Sequence, residues 1–195
     1  MAGGDSVVLH EDVAVPDNVA SITRVGVVGG GLMGAGIAEV CARPEQVLGV
    51  HFFNPVPVLP LVELVPSLLT GAQAVARAEA FAVGTLGKTV IRATDGAGFV
   101  VNALLVPYLL SAVRMLEAGF ASAEDIDQGM VLGCAHPMGP LRLADLIGLD
   151  TVMAIAESMY EEFREPLYAA PPLLMRMVSG GLLGRKSGRG FHDYS

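Results

Sequence analysis

The sequence predicts an α/β unit followed by an all-helical unit. Up to about residue 94, short runs rich in valine and isoleucine alternate with stretches of helix formers, which is the pattern of an α/β unit. From Gly98 onward, apolar residues recur at helical spacing in long segments. A run of glycines between the first strand and the first helix then indicates what kind of α/β unit this is.

The first unit follows a loose arm. Residues 1–22 are mixed, acidic and punctuated by glycine and proline, and we expect them to form that arm. The apolar, β-branched runs and the helix-forming stretches then alternate along the chain. The predicted strands are Arg24–Gly29, Val47–Phe53, Leu61–Val65 and Thr89–Ala93, and the predicted helices are Leu32–Ala42 and Ala72–Leu86.

The second unit is predicted to contain five helices and an irregular tail. Ser122 begins a capping-box pattern, so a helix should start directly after it. A later helix should be capped by Asp150 or Thr151. The predicted helices are Phe99–Glu117, Ala123–Leu132, Leu141–Ile147, Asp150–Phe163 and Pro171–Val178, and the tail is Gly184–Ser195.

Composition excludes two classes of partner and favours a third. Of the 195 residues, 52% are apolar and 16% are charged, so the chain should bury extra surface against a membrane or another subunit. The best candidate span, Val47–Pro66, carries four prolines as well as His51 and Glu63, so we expect no membrane span and favour an oligomer. The net charge of −8 and the lack of a basic tract argue against nucleic-acid binding.

The two cysteines and the N-terminus predict a cytoplasmic protein. Cys41 and Cys134 stand in apolar surroundings, without metal-ligand or redox spacing, and we expect both to be reduced core residues. The N-terminal residues lack a basic region followed by an apolar stretch, so we expect no signal peptide. We likewise predict no metal site.

The glycine run Gly29–Gly34 matches the pattern G-x-G-x-x-G, follows a strand and opens a helix. Gly29 would allow the tight turn, Gly31 would let the backbone approach a pyrophosphate, and Gly34 would let the helix pack on the strand. The helix N-terminus would supply free N–H groups to the anion. The alternative is a strand-to-helix turn without a ligand. An acidic residue for the ribose is expected about 20 residues further on, and Phe52–Asn54 offers no carboxylate.

Three polar residues in apolar segments are the candidate catalytic residues: His51, Glu63 and Asn102. His51 lies near the end of a strand and could be a general base or a core histidine bonded to backbone. Glu63 could orient that histidine, since a buried carboxylate needs a partner, or it could face water from an edge strand. Asn102 could contact a ligand or cap the helix. Together they suggest proton abstraction coupled to hydride transfer.

Several segments resemble successive stretches of the 3-hydroxyacyl-CoA dehydrogenase family, of the 3-hydroxybutyryl-CoA dehydrogenase type. The resemblance runs in the family's order from about Arg24 to the C-terminus. It implies an NAD-binding domain, a helical domain that forms much of a dimer interface, and an active site between them. The segments that carry it are VGVVGGGLMGAGIA from Val25, HFFNPVP from His51, LVE from Leu61, GFVVNALLVPY from Gly98, AEDID from Ala123, PMGP from Pro137 and GRKSGRGF from Gly184.

The resemblance assigns a role to each candidate residue. His51 would take the proton from the substrate's 3-hydroxyl as hydride passes to the nicotinamide, Glu63 would orient His51, and Asn102 would contact substrate or cofactor near the reacting carbon. The product would be a 3-oxoacyl-CoA, and the reverse reduction is equally allowed. NADP is not excluded as the cofactor. The residues that would hold the dinucleotide are Gly29, Gly31, Leu32, Met33 and Gly34.

The chain departs from the family pattern where Arg43 meets Pro44. At about 30 residues per βαβ unit, the missing segment amounts to roughly 90–100 residues and includes the ribose-binding acid and a serine near the histidine. The predicted architecture is thus a loose arm (1–22), a truncated Rossmann-like NAD-binding domain (23–96) and a helical dimerisation domain (97–195). A second hypothesis is that the chain is a catalytically inactive, shortened family member that retains only the dimerising helical domain.

Overall fold

The described part of the protein begins with a small sheet. The computed structural model describes residues 44–195. The predicted arm, the strand Arg24–Gly29, the glycine run and the helix Leu32–Ala42 lie outside the described residues, as does Cys41. Strands β1 (Leu48–Phe52), β2 (Leu61–Pro66) and β3 (Thr89–Arg92) form the sheet, and helix α1 (Ala72–Gly84) connects β2 to β3. Each of these elements was predicted to within about two residues.

Strand β2 lies in the centre of this sheet. It pairs antiparallel with β1 and parallel with β3. Four consecutive β2 residues, Val62 to Val65, are buried, so both faces of the strand are covered. A strand buried on both faces reads as a continuous apolar run, and β2 fits that description except for one residue, Glu63.

Five helices follow, as predicted, and build one apolar core among themselves. The buried side chains recur at helical spacing, which turns one face of each helix inward. Leu109, Leu141, Leu149, Met159 and Leu174 are fully buried in this core. The helices are α2 (Val101–Glu117), α3 (Ala123–Cys134), α4 (Pro140–Ile147), α5 (Leu149–Phe163) and α6 (Pro172–Ser179).

One of the two predicted helix caps is confirmed. The Ser122 hydroxyl accepts a hydrogen bond of 3.1 Å from the Asp125 amide and so caps α3. The prediction that Asp150 or Thr151 caps α5 is wrong, because that helix begins at Leu149 and its N-cap is Gly148. Gly148 adopts φ +102°, a conformation that L side chains rarely adopt, which explains a glycine there.

Helix α2 starts two residues later than predicted. Gly98 and Phe99 both have positive φ angles, +84° and +49°, which no helix allows. The helix therefore begins only at Val101. This left-handed turn at the entrance of α2 lies beside the candidate site.

The prediction that Cys134 is a core residue is wrong. Cys134 is the last residue of α3 and is exposed. Apolar neighbours in the sequence suggested burial, but Leu132 is also exposed, so the last turn of α3 carries apolar residues on the surface.

The C-terminal tail is irregular, as predicted, and is bound to the helical core. The carboxylate of Asp145 accepts hydrogen bonds from the Phe191 and His192 amides at 2.9 and 3.0 Å. The His192 ring bonds through Nε2 to Asp127 at 2.8 Å. Asp127, Asp145 and His192 are all buried, so these hydrogen bonds replace the ones that their polar atoms would otherwise make to water. None of the helices within residues 44–195 combines the length and the hydrophobicity that a transmembrane span requires.

Candidate active site

Strands β1 and β2 place His51 directly opposite Glu63. The antiparallel register pairs these two residues across the ladder, so their side chains emerge on the same face of the sheet. His51 Nδ1 lies 2.7 Å from Glu63 Oε2. The Glu63 side chain is 0% exposed and the His51 side chain is 30% exposed. The pair therefore consists of a fully buried carboxylate behind a partly accessible imidazole.

The second oxygen of Glu63 binds the entrance of helix α2. Glu63 Oε1 accepts hydrogen bonds from the Val100 and Val101 amides at 3.1 and 3.0 Å. Backbone amides at a helix N-terminus lack partners within the helix, and a carboxylate is a suitable acceptor for them. Because β2 is the central strand, the alternative that Glu63 faces water from an edge is wrong.

The hydrogen bond to Glu63 determines which nitrogen of His51 is available. A carboxylate only accepts hydrogen bonds, so Nδ1 carries the ring proton and donates a hydrogen bond to Glu63. Nε2 is then the basic nitrogen, and it has no hydrogen-bond partner within residues 44–195. An imidazole held in one tautomer by a carboxylate, with its other nitrogen free, has the arrangement of a general base.

Two aromatic rings flank the His51 ring. The Phe53 ring lies 4.7 Å away between centroids and meets it edge-on at 63°. The Phe99 ring lies 5.4 Å away and is tilted by 58°. These contacts and the bond to Glu63 limit the rotation of the imidazole.

Asn102 lies in the first turn of α2, one residue beyond the amides that bind Glu63. It is half-buried, and its side chain makes no hydrogen bond to any part of the chain that the structure describes. The structure thus brings Asn102 to the helix end that touches the pair, and it gives no direct contact with His51. The predicted cofactor residues Gly29, Gly31, Leu32, Met33 and Gly34 lie outside the described residues.

An apolar cavity of about 650 Å³ opens on the same helix entrance. On its wall the Tyr108 hydroxyl lies 3.1 Å from His136 Nδ1, and burial, together with the charge of Asp127, raises the pKa of Tyr108 above its usual value. This cavity was not predicted from the sequence, although helical spacing relates residues 101, 104, 105 and 108. The lining residues are Val100, Val101, Leu104, Leu105, Tyr108, His136, Pro137, Met138 and Leu143.

Comparisons with known proteins bear on what this site does. The family model described as 3-hydroxyacyl-CoA dehydrogenase, NAD binding domain, matches residues 41–96, and the model described as 3-hydroxyacyl-CoA dehydrogenase, C-terminal domain, matches residues 98–194. A 3-hydroxybutyryl-CoA dehydrogenase of Mycobacterium tuberculosis is 57% identical over 190 residues, which are 97% of this chain and 63% of that protein. Another from Clostridioides difficile is 46% identical over 82% of this chain and 56% of that protein.

Two solved structures also match this chain. The crystal structure of Mycobacterium tuberculosis FadB2 matches with a TM-score of 0.77 and 66% identity, over 78% of this chain and 53% of that one. The crystal structure of (S)-3-hydroxybutyryl-CoA dehydrogenase PaaH1 from Ralstonia eutropha matches with a TM-score of 0.77 and 49% identity, over 82% and 56%. The chain therefore spans between half and two thirds of the length of these relatives. It belongs to the 3-hydroxyacyl-CoA dehydrogenase family.

Proposed function

We propose that this protein oxidises 3-hydroxyacyl-CoA thioesters, with 3-hydroxybutyryl-CoA as the representative substrate, to 3-oxoacyl-CoA with NAD, or catalyses the reverse reduction in fatty-acid and butanoate metabolism. The observation that carries the proposal is the 2.7 Å contact between His51 Nδ1 and Glu63 Oε2. This contact leaves Nε2 as the base of a partly open site, and oxidation of a secondary alcohol requires such a base.

The proton moves along a short path in this proposal. His51 Nε2 accepts the proton of the substrate's 3-hydroxyl and becomes an imidazolium. The buried Glu63 carboxylate stabilises that cation across the Nδ1–H bond and keeps the ring in the required tautomer. Bound NAD would supply the hydride acceptor. In the reverse reaction the same nitrogen returns the proton to the alkoxide oxygen.

The described residues fit the proton-transfer half of this chemistry, since an imidazole with one free nitrogen is the proton acceptor that it requires. The dinucleotide itself would be held by the glycine run. We infer that Gly29, Gly31 and Gly34, with Leu32 and Met33 between the last two, would hold the pyrophosphate. This assignment is supported by the resemblance of the segment that begins at Val25 to the 3-hydroxyacyl-CoA dehydrogenase family. No residue is assigned to the ribose, so NADP is not excluded.

The acyl end of the substrate is proposed to lie along helix α2. Asn102 would bind substrate or cofactor near the reacting carbon, because its amide has no partner among the described residues and lies beside the Glu63 contacts. The apolar cavity beyond it would receive the acyl chain, since Val100 and Val101 line that cavity and also bind Glu63 through their amides. Apolar lining suits a hydrocarbon chain.

We also propose that the helical domain (97–195) forms a homodimer and that the protein is cytoplasmic. Large apolar side chains on the helical domain support an interface, since Phe120 is 82% and Leu132 81% exposed. Analytical ultracentrifugation tests this proposal: a mass of two chains supports it, and a mass of one chain at micromolar concentration contradicts it.

Reduction of acetoacetyl-CoA tests the proposed activity. The assay follows NADH absorbance at 340 nm and compares acetoacetyl-CoA with acetoacetate, which lacks the CoA group. Turnover with the thioester that greatly exceeds turnover with the free acid supports the proposal. Equal rates with both compounds would contradict recognition of the CoA thioester.

A specific observation favours a second candidate, a catalytically inactive family member. The chain covers 63% of the Mycobacterium tuberculosis relative, and the match to the NAD-binding domain begins at residue 41, after the glycine run. If the segment after Arg43 that holds the ribose is missing, the protein would not retain a dinucleotide. Thermal unfolding with and without about 1 mM NADH distinguishes the active from the inactive protein, because a ligand that binds the native state raises Tm. An unchanged Tm supports the inactive protein, and a clear rise argues against it.

A further inference from the structure

We propose that Phe99 is a positioning residue for the imidazole of His51, a role that rests on the proposed function of His51 as the general base. Phe99 precedes helix α2, and its ring lies 5.4 Å from the His51 ring. Three observations carry the proposal: the backbone conformation of Phe99, the contacts that hold it, and its incomplete burial.

The backbone of Phe99 adopts a conformation that bulky residues rarely adopt. Its φ angle is +49°, in the left-handed region that asparagine, aspartate and glycine favour. Gly98 before it has φ +84°, so the chain makes two left-handed steps in succession. Such backbone outliers concentrate at functional sites, where the surrounding structure holds them in place.

Contacts on both sides of Phe99 fix this conformation. The Phe99 amide donates to the Gly96 carbonyl at 3.1 Å, and the Ala103 amide donates to the Gly98 carbonyl at 3.0 Å. A Cβ at Gly98 would lie 2.9 Å from the Ala103 nitrogen and 3.0 Å from Met159 Sδ, so no larger residue fits there. The next amide, that of Val100, is bound to Glu63 Oε1.

The same carboxylate therefore determines the positions of both rings. Glu63 Oε2 accepts from His51 Nδ1, and Glu63 Oε1 accepts from the residues directly after Phe99. Phe53 contacts the imidazole with its ring centroid at 4.7 Å. The imidazole is thus held by one hydrogen bond and two aromatic contacts, of which Phe99 supplies the one that comes from the entrance of helix α2.

Packing alone does not account for Phe99. Its side chain is only partly buried, and it is absent from the buried core of the helical unit. A residue that adopts the left-handed conformation more readily, such as asparagine or glycine, would serve an ordinary half-buried position equally well. The benefit of the aromatic ring at this position is the orientation it gives to His51, since a small misplacement of a catalytic group costs much rate.

The test uses Phe99→Asn, which tolerates the left-handed backbone and removes the ring, and Phe99→Tyr, which keeps the ring. Phe81→Asn, at an exposed phenylalanine of helix α1, is the matched control. The first readout is the NMR order parameter of the His51 ring in protein labelled at histidine, with the signal assigned by His51→Gln. It needs neither substrate nor cofactor. Phe99→Leu replaces Phe99→Asn if the latter fails to fold.

We expect the His51 order parameter to fall in Phe99→Asn and to stay at the wild-type value in Phe99→Tyr and Phe81→Asn. In turnover of 3-hydroxybutyryl-CoA, kcat should fall about 10-fold to 100-fold in Phe99→Asn with KM nearly unchanged. An unchanged order parameter in both Phe99→Asn and Phe99→Leu overturns the proposal. If the order parameter falls in Phe99→Asn but the wild-type protein shows no turnover, the positioning role is supported and the proposed function has failed.

Discussion

His51 and Glu63 lie opposite each other on neighbouring antiparallel strands, with 2.7 Å between Nδ1 and Oε2. They lie twelve positions apart in the sequence, and the connection between their strands is rich in proline. The ladder brings them together, and the central position of β2 removes the carboxylate from water. The carboxylate accepts hydrogen bonds from one ring nitrogen and two backbone amides, so both of its oxygens have partners without water.

Replacing Glu63 by glutamine should abolish most activity while keeping the side chain's shape. The amide can donate to Nδ1, which would move the ring proton to Nε2 and remove the base. We expect kcat to fall about 10²-fold to 10⁴-fold, the usual contribution of general base catalysis. Steady-state kinetics checks the fall, and thermal unfolding should show a loss of about 1–3 kcal/mol from the mismatched buried group.

Glu79→Gln is the matched control for this change, because Glu79 is a surface residue paired with Arg92. Surface pairs contribute little, so this variant should keep wild-type kcat and stability. Equal kcat in Glu63→Gln and in the wild type would show that the carboxylate does not act through His51.

Asp127 should be important for stability and not for chemistry. Its buried carboxylate accepts from the Leu141 and Arg142 amides at 2.8 and 3.1 Å and bonds to His192 Nε2 at 2.8 Å. Asp127→Ala leaves these groups without their acceptor, which should cost about 3 kcal/mol or more. Calorimetry should then show Tm lower by at least roughly 6 °C.

Asp193→Ala provides the comparison, since Asp193 is exposed and its side chain bonds only to Ser195 among the described residues. Its Tm should equal that of the wild type. If Asp127→Ala and Asp193→Ala unfold at the same temperature, the tail is not held by the buried carboxylate.

Tyr194 should make the protein sensitive to alkaline pH. Burial, followed by the charge of Asp145, raises the pKa of Tyr194 to about 12, and its hydroxyl donates to Asp145 Oδ2 at 3.1 Å. The unfolded value is about 10, so the hydroxyl is protonated in both states below pH 10 and its stabilising contact is fully present there. Between pH 10 and 12 the unfolded state loses its proton first, and the free energy of unfolding falls.

Urea unfolding at pH values from 9 to 12 measures this dependence. Tyr194→Phe should show a smaller decrease across that window than the wild type does, whereas Tyr160→Phe, at an exposed tyrosine, should follow the wild type. A decrease in Tyr194→Phe as steep as in the wild type would assign the alkaline sensitivity to other groups.

The sequence predicted the elements well and their three-dimensional relationships less well. Strand and helix periodicity located β1 to β3 and α1 to α6, because that signal is local. His51 and Glu63 could be suggested as a pair only because a buried carboxylate needs a partner. The register that confirms their contact depends on strand pairing across the proline-rich connection, which no local pattern encodes.

The features that were not predicted from the sequence depend on long-range contacts. His192 meets Asp127 across 65 residues, and Glu63 meets Val101 across 38. The left-handed conformation of Phe99 was also missed, since a phenylalanine carries no local signal for positive φ. Cys134 was misjudged because apolar neighbours in sequence do not ensure burial at a helix end. The roles of Asn102 and of the glycine run stay predictions.

Whether His51 is the general base of a dehydrogenase is tested by NADH formation from 3-hydroxybutyryl-CoA, measured side by side at 340 nm for the wild-type protein and for His51→Gln. Circular dichroism of both proteins shows that each is folded. We expect saturable turnover by the wild type and a loss of about 10²-fold or more in kcat for His51→Gln. Wild-type turnover that His51→Gln retains in full would contradict the assignment of His51 as the base, and no turnover by the folded wild type above the blank would contradict the proposed activity itself.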